Sequence, residues 1–208
     1  MYGRNFYEIV PEVINGEIGN ISYNVYCPVI LQPENNACRT INNFSRHECG
    51  EFLKYIQDEL GGCNQRSEVA RCYQLMYQSA FILSLKYEMN VPDNKGKLFT
   101  FISGAVWNTR EGRRVELKEF FRGNVRFREI ILYIISGKIK SKIAAGEKFH
   151  SDWHSRLYAA SKKMGYYVCK EGFVFLFPSD TFKAGENKNV EILVGFMDLK
   201  NQLSSRLL

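Results

Sequence analysis

Apolar and polar positions alternate loosely over residues 6–14, Asn15-Gly16 follows as a turn pair, and a second alternating run covers 21–31. Period-two patterning bounded by turn residues predicts two strands joined as a hairpin. Pro11 and Pro28 cannot donate to a ladder, which places these strands at an edge or a bulge. Residues 32–43 are rich in Asn and other polar residues and predict a loop. Ser45-Arg-His-Glu48 has the form of a capping box, with Ser45 as N-cap and Glu48 at the third helical position. Behind it Cys49, Phe52, Leu53, Ile56 and Leu60 recur at helical spacing until Gly61-Gly62, predicting a helix from Arg46 to about residue 60.

Ser67 opens a longer apolar stretch that Pro92 ends. Placed on a helix, Val69, Ala70, Cys72, Tyr73, Leu75, Met76, Phe81, Ile82, Leu83 and Leu85 cover most of the circumference, so the expectation is a long buried helix, the spine of the fold. Asp93 to Gly96 form a predicted turn, and 98–107 reads as a strand with Gly104 inside it. Beyond Thr109 the pattern becomes short helices separated by glycine: 115–122, 125–135, 138–145 and 152–164, the last capped by Ser151. Residues 166–169 and 173–177, joined by Lys170-Glu171-Gly172, predict a hairpin. A strand over 190–196 and a short amphipathic helix follow. The fold class is α+β: a small mixed or antiparallel sheet packed on a long buried helix, with a helical C-terminal half ending in a β-hairpin. The change in pattern separates an α+β core region, 1–109, from a helical region, 110–208, and a chain of 208 residues fits both in one continuous domain.

Charge sharpens that division. Residues 110–163 hold 14 basic and 6 acidic side chains and the remainder 14 and 16, so the segment carries +8 and the rest −2. A one-sided basic field attracts polyanions or an acidic protein surface. Helix, short helix, helix and hairpin is also the order of elements in a winged helix, whose last helix enters the major groove. On that plan the helix over 152–164 presents His154, Arg156, Lys162 and Lys163, and phosphate contacts come from Arg126, Arg128, Lys138, Lys140 and Lys142. The favoured expectation is therefore a non-enzymatic protein that binds DNA or RNA. The alternative is an inhibitor or effector that docks the same basic face on an acidic partner.

Composition narrows the setting. Apolar residues make up 45% and aromatics 14%, enough for a core and too many for disorder. The N-terminus has no apolar signal region, and no run approaches the roughly 18 apolar residues of a spanning helix, so a soluble, cytoplasmic protein without a membrane role is expected. The six cysteines form no Cys-x-x-Cys pair, and in a reducing compartment they read as free thiols.

Four constellations carry possible chemistry. His150 and His154 have the i,i+4 spacing of a metal-gripping pair, but Ser151 as N-cap leaves His150 outside the helix. Cys38, His150 and Asp180 supply the residue types of a Cys–His hydrolase, the third functional expectation. Cys38, His47, Cys49 and Cys63 have zinc-ligand chemistry at spacings that match no common structural site. Glu116-Leu-Lys118 with Asp93 has the composition of a metal-dependent nuclease, on a segment that reads as helix where that chemistry needs a strand. No phosphate loop, dinucleotide fingerprint or nucleophile elbow occurs, and neither a metal nor a cofactor is expected.

Overall fold

The computed structural model describes residues 7–32, 34–62, 65–92, 97–123, 125–183 and 187–204. Strands β1 (Ile9–Ile18) and β2 (Ile21–Ile30) form an antiparallel hairpin whose register joins Ile18 to Ile21. The turn is thus Gly19-Asn20, and Asn15-Gly16 lies inside β1. Gly19 has φ 59°, as a glycine-led two-residue hairpin loop requires, and a Cβ there would sit 2.7 Å from the Gly61 carbonyl oxygen.

Helix α1 (Asn36–Tyr55) begins inside the segment predicted as loop. Its cap is Asn35, whose side chain accepts from the N–H groups of Ala37 (2.9 Å) and Cys38 (3.3 Å). Ser45 is therefore not the N-cap but a buried mid-helix residue. One π-helical turn, Ile56–Leu60, carries the chain to Gly61.

Residues 67–92 do not form a helix. They make two antiparallel strands, β3 (Ser67–Gln78) and β4 (Ile82–Pro92), with a bulge between Leu75 and Tyr77. The turn between them lacks Gly and Pro; Ser79 Oγ closes it by accepting from the N–H groups of Phe81 and Ile82. From Leu83 to Val91 apolar and polar residues alternate strictly, the period of a strand, and the two sets face opposite sides of β4. Leu83, Leu85 and Tyr87 pack with Cys38 and Ile41 of α1, while Ser84, Lys86 and Glu88 reach the C-terminal half of the chain. β5 (Leu98–Asn108) and the short β6 (Arg113–Arg114) complete a curled six-stranded sheet in the order β1-β2-β3-β4-β5-β6. Only β2 and β3 run parallel, and α1 is the crossover that parallel pairing needs.

β2 continues past the end of its pairing with β3, and α1 covers the exposed edge. The Asn42 side chain accepts from the Ile30 N–H (2.8 Å) and donates to the Ile30 carbonyl (3.0 Å), standing in for a neighbouring strand. The disulfide Cys27–Cys49 ties the same two elements, so the expectation of free thiols is corrected for this pair. Cys38 and Cys169 are buried free thiols and Cys72 is an exposed one; Cys63 lies outside the described residues.

In the C-terminal half, the predicted helices at 125–135 and 138–145 are one helix, α2 (Phe127–Ala144). Its buried stripe Ile131, Ile135 and Ile139 crosses Gly137 without interruption, so the glycine does not break it. α3 (Trp153–Ala160) is shorter than predicted and starts after Asp152, and the segment 115–122 reduces to one 3-10 turn, Leu117–Phe120. The predicted hairpin is found as β7 (Gly165–Val168) and β8 (Gly172–Phe177), extended by β9 (Val190–Gly195) into a three-stranded sheet, with α4 (Phe196–Leu199) after it. Two α-helices rather than three thus precede a three-stranded sheet, which departs from the winged-helix order. Phe120, Phe173, Phe175, Phe177 and Phe182 fill the core beneath α2 and α3. The two sheets meet where β7 crosses β5 at Gly104; a Cβ there would collide with the Tyr166 carbonyl. Among the described residues no helix is long and apolar enough to cross a membrane.

Candidate functional site

Helix α1 crosses the six-stranded sheet on a diagonal. Its N-terminal part packs over β4 and β5, with Cys38 and Ile41 against Leu83, Leu85, Ala105 and Trp107. Its C-terminal part and the π turn pack over β2 and β3, with Phe52, Ile56 and Leu60 against Ile21, Val25 and Val69. A helix that leaves β5 in this way opens a wedge between itself and the strand. On the helix side Phe44, Glu48 and Tyr55 face it at spacings of four and seven. On the strand side stand Ser103 and Phe101, which alternate with residues on the other face of β5. Phe44, Tyr55 and Phe101 remain more than one-third exposed. The wide end is a cleft of about 240 Å³ lined by Tyr55, Glu59, Leu60, Val91, Pro92, Phe99 and Phe101. The narrow end is shut, because the β5–β6 turn places Gly112 (φ 70°) against Ala37 and Thr40 of α1.

At the narrow end two guanidinium groups share one carboxylate. Arg71 of β3, only 4% exposed, donates to Glu48 Oε2 (3.5 Å) and to Cys49 Sγ (2.8 Å), and its Cζ lies 4.5 Å from the Tyr87 ring centroid. Arg114 of β6 donates to Glu48 Oε1 (3.0 Å) and to the Gly104 carbonyl (3.2 Å) and stacks on Trp107 and Phe44 at 4.7 and 5.1 Å. Trp107 and Phe44 themselves meet edge to face, 5.0 Å between centroids. Burial lowers the Arg71 pKa, with Glu48 opposing the shift and Arg114 adding to it. Burial also pushes the Tyr87 phenol up to about 12.

This assembly carries more donors than acceptors. Two cations face one anion, and Trp107 Nε1, a donor only, is buried with no hydrogen-bond partner among the described residues. Ser45 Oγ, buried nearby, has the Tyr87 phenol as its neighbour. Buried polar groups are ordinarily satisfied, so the unpartnered indole N–H marks this cluster out. An acceptor-only group, a carboxylate or an oxyanion, would complement the set.

The residues singled out from sequence lie elsewhere. Four of the predicted nucleic-acid contacts are engaged locally: Arg126 with Glu129, Lys138 with Asp198, Lys142 with Glu147 and Arg156 with Asp152. Arg128, Lys140, Lys162 and Lys163 are exposed and show no ion pair to a described residue, and His154 is exposed with its ring edge-on to Trp153. Cys38 is buried in the first turn of α1, where burial pushes its thiol pKa up, away from a nucleophilic thiolate. His150 and Asp180 border the turn before Phe182 in the other layer: His150 N–H bonds the Phe182 carbonyl, and the Asp180 carbonyl accepts from Arg156. The four proposed zinc ligands do not form a set, since Cys49 is consumed by the disulfide, His47 points to solvent and Cys63 lies outside the described residues. Glu116 and Lys118 pair with each other (2.6 Å) at the 3-10 turn, and Asp93 also lies outside the described residues. Among the described residues no three His, Cys, Asp or Glu side chains group as a metal site.

The Arg71–Glu48–Arg114 cluster escaped sequence reasoning because its members are joined only by long-range contacts. One signal was present: Arg71 is a lone charge between Val69 and Tyr73 on one face of a strand.

No protein-family model matches the chain, and no curated protein sequence matches it. Solved structures do. A DUF3298-family member from Bacteroides fragilis superposes with a TM-score of 0.61 at 10% identity, over 96% of this chain and 94% of that one. A DUF3298-family protein from Pseudomonas aeruginosa gives 0.60 at 7% identity, over 97% and 95%. At such identities the likeness is one of fold: a mixed α+β architecture that this chain shares almost end to end.

Proposed function

We propose that this chain is a non-enzymatic binding protein that holds an anionic group at the Arg71–Glu48–Arg114 cluster. The surplus of donors there carries the proposal: two guanidiniums on one carboxylate beside an unpartnered indole N–H. Arginine stacked on aromatic rings, with N–H donors to spare, suits carboxylate and oxyanion recognition. The buried, unactivated thiol of Cys38 supports binding over thiol catalysis. The test is an NMR titration of the indole and guanidinium N–H signals with sodium acetate and sodium sulfate, against sodium chloride at equal ionic strength. One of the two tryptophan indole signals should shift saturably, and Arg114→Ala should abolish the shift. No shift beyond the chloride control refutes the proposal.

Nucleic-acid binding is a second reading, favoured by the four exposed cations Arg128, Lys140, Lys162 and Lys163 that show no ion pair to a described residue. Four phosphate contacts give a log–log salt slope no steeper than about −3.6 on duplex DNA. Absence of binding below roughly 10⁻⁴ M at low salt removes this reading.

A further inference from the structure

We infer that the wedge between α1 and β5 seats the C-terminal end of an extended peptide, its terminal carboxylate at Arg114 and an apolar side chain upstream in the cleft of Tyr55 and Phe101. This rests on the anion-binding role just given to the cluster and adds the partner.

Three observations select this occupant. The charge surplus lies at one end of the wedge, and at the other a cleft lined mainly by aromatic and aliphatic side chains with the Glu59 carboxylate, so the complementary ligand carries its acidic group at the first end and an apolar side chain at the second. Along β5 the Arg114 guanidinium bonds the Gly104 carbonyl, three residues from Phe101, so the two ends lie roughly 10 Å apart at about 3.3 Å per residue. An extended peptide of three or four residues covers that distance. Finally, the charged end is blind, because Gly112 packs on Ala37 and Thr40. A chain that enters from the open end must stop at Arg114, which selects a terminal carboxylate over an acidic side chain in mid-chain.

Ser103, exposed on β5 beside Gly104, supplies a hydroxyl next to the charged end of the path. The outer edge of β5 is not what the peptide would pair with. Its groups are already taken by the Asn187 carbonyl (to Thr100 N–H, 2.8 Å), the Asn189 side chain (to Ile102 N–H, 2.9 Å) and Arg114. Recognition therefore comes from side chains in the wedge rather than from strand addition.

The test uses fluorescein-labelled tetrapeptides, Phe at the first position and Ser and Ala elsewhere, with either a free or an amidated C-terminus. Anisotropy titrations with the full chain should show the free acid binding at least tenfold more tightly than the amide. Arg114→Ala should erase that difference, and Arg114→Lys should restore only part of it. Tyr55→Ser and Phe101→Ser change exposed side chains and should leave circular dichroism and melting unchanged. Each should weaken the Phe-led peptide about tenfold and leave an all-Ser/Ala peptide unaffected. If acid and amide bind alike, or if the cleft variants have no effect, the peptide inference is overturned. Should acetate still shift the indole signal in that case, the anion site survives; should neither ligand bind, both fall together.

Discussion

Replacing Glu48 by Gln would remove the carboxylate that bonds both Arg71 and Arg114 while keeping its shape. Stripping one partner from a fully buried ion pair costs about 3–5 kcal/mol, because a cation is left without compensation in a poorly solvated place. Here Arg71 is 5% exposed at its side chain, but Glu48 is 31% and Arg114 35% exposed, so water recovers part of that loss. We expect a destabilisation of about 2–3 kcal/mol. Urea unfolding followed by tryptophan fluorescence measures it; guanidinium chloride would screen the effect. Added sulfate should then restore stability to the variant more than to the wild type. With free anion at ten times its dissociation constant, the gain is about 1.4 kcal/mol. The wild-type response serves as the reference for the general stabilisation that sulfate gives any folded protein. A variant within about 0.5 kcal/mol of wild type would refute this account, since surface changes lie in that range. An equal sulfate gain in both proteins would refute it too.

Other perturbations test the frame around the site. Gly104→Ala drives a methyl into the Tyr166 carbonyl between the two sheets and should cost about 3 kcal/mol in a urea melt, whereas Gly50→Ala, with open space at its Cβ in α1, should add about 1 kcal/mol. Reducing Cys27–Cys49, which spans 22 residues, should lower stability by about 3 kcal/mol; unchanged melts with and without reductant would argue against the bridge. At high pH the folded state holds the Tyr87 proton to about pH 12 and an unfolded chain releases it near 10. Stability from this group is complete below pH 10 and lost as the pH climbs to 12, about 2–3 kcal/mol in all. Burial moves Tyr73, Tyr166 and Tyr167 in the same direction. An ultraviolet titration should thus find four of the 12 tyrosines ionising late, and a single transition near pH 10 would contradict it.

Elements with local punctuation could be read from the sequence. The hairpin of β7 and β8 is announced by its Lys170-Glu171-Gly172 turn, and the C-terminal part of α1 by its apolar spacing and Gly61. β4 does carry a strand signal, apolar and polar residues alternating without a break from Leu83 to Val91, but the turn from β3 holds no Gly or Pro and depends on one serine hydroxyl, so no punctuation divides the stretch into two strands. The start of α1 is hidden because its cap, Asn35, stands in an Asn-rich stretch that resembles a loop. The site needed the fold. Glu48 looked like a capping residue, Arg114 like part of a basic field, Arg71 like one residue of a helix, and only the sheet order brings them together. The disulfide joins cysteines with no characteristic spacing, and it too became visible only when α1 was laid on β2.

Helix α1 is fixed to the sheet at three places: the Gly112 contact at Ala37, the Asn42 clasp on Ile30 and the bridge at Cys49. A rod held at several points along its length cannot pivot, so the angle of the wedge is set before any ligand arrives. A ligand entering such a slot would not bear the entropic cost of ordering its receptor. Its arrival would follow a single bimolecular step, linear in concentration, with no slow isomerisation behind it. Selectivity would then reside in dissociation, because a rigid slot releases a poor fit quickly and does not reshape itself around it. Breaking the bridge at Cys49 would free the C-terminal half of the rod, and binding would begin to show the lag of a receptor that must close.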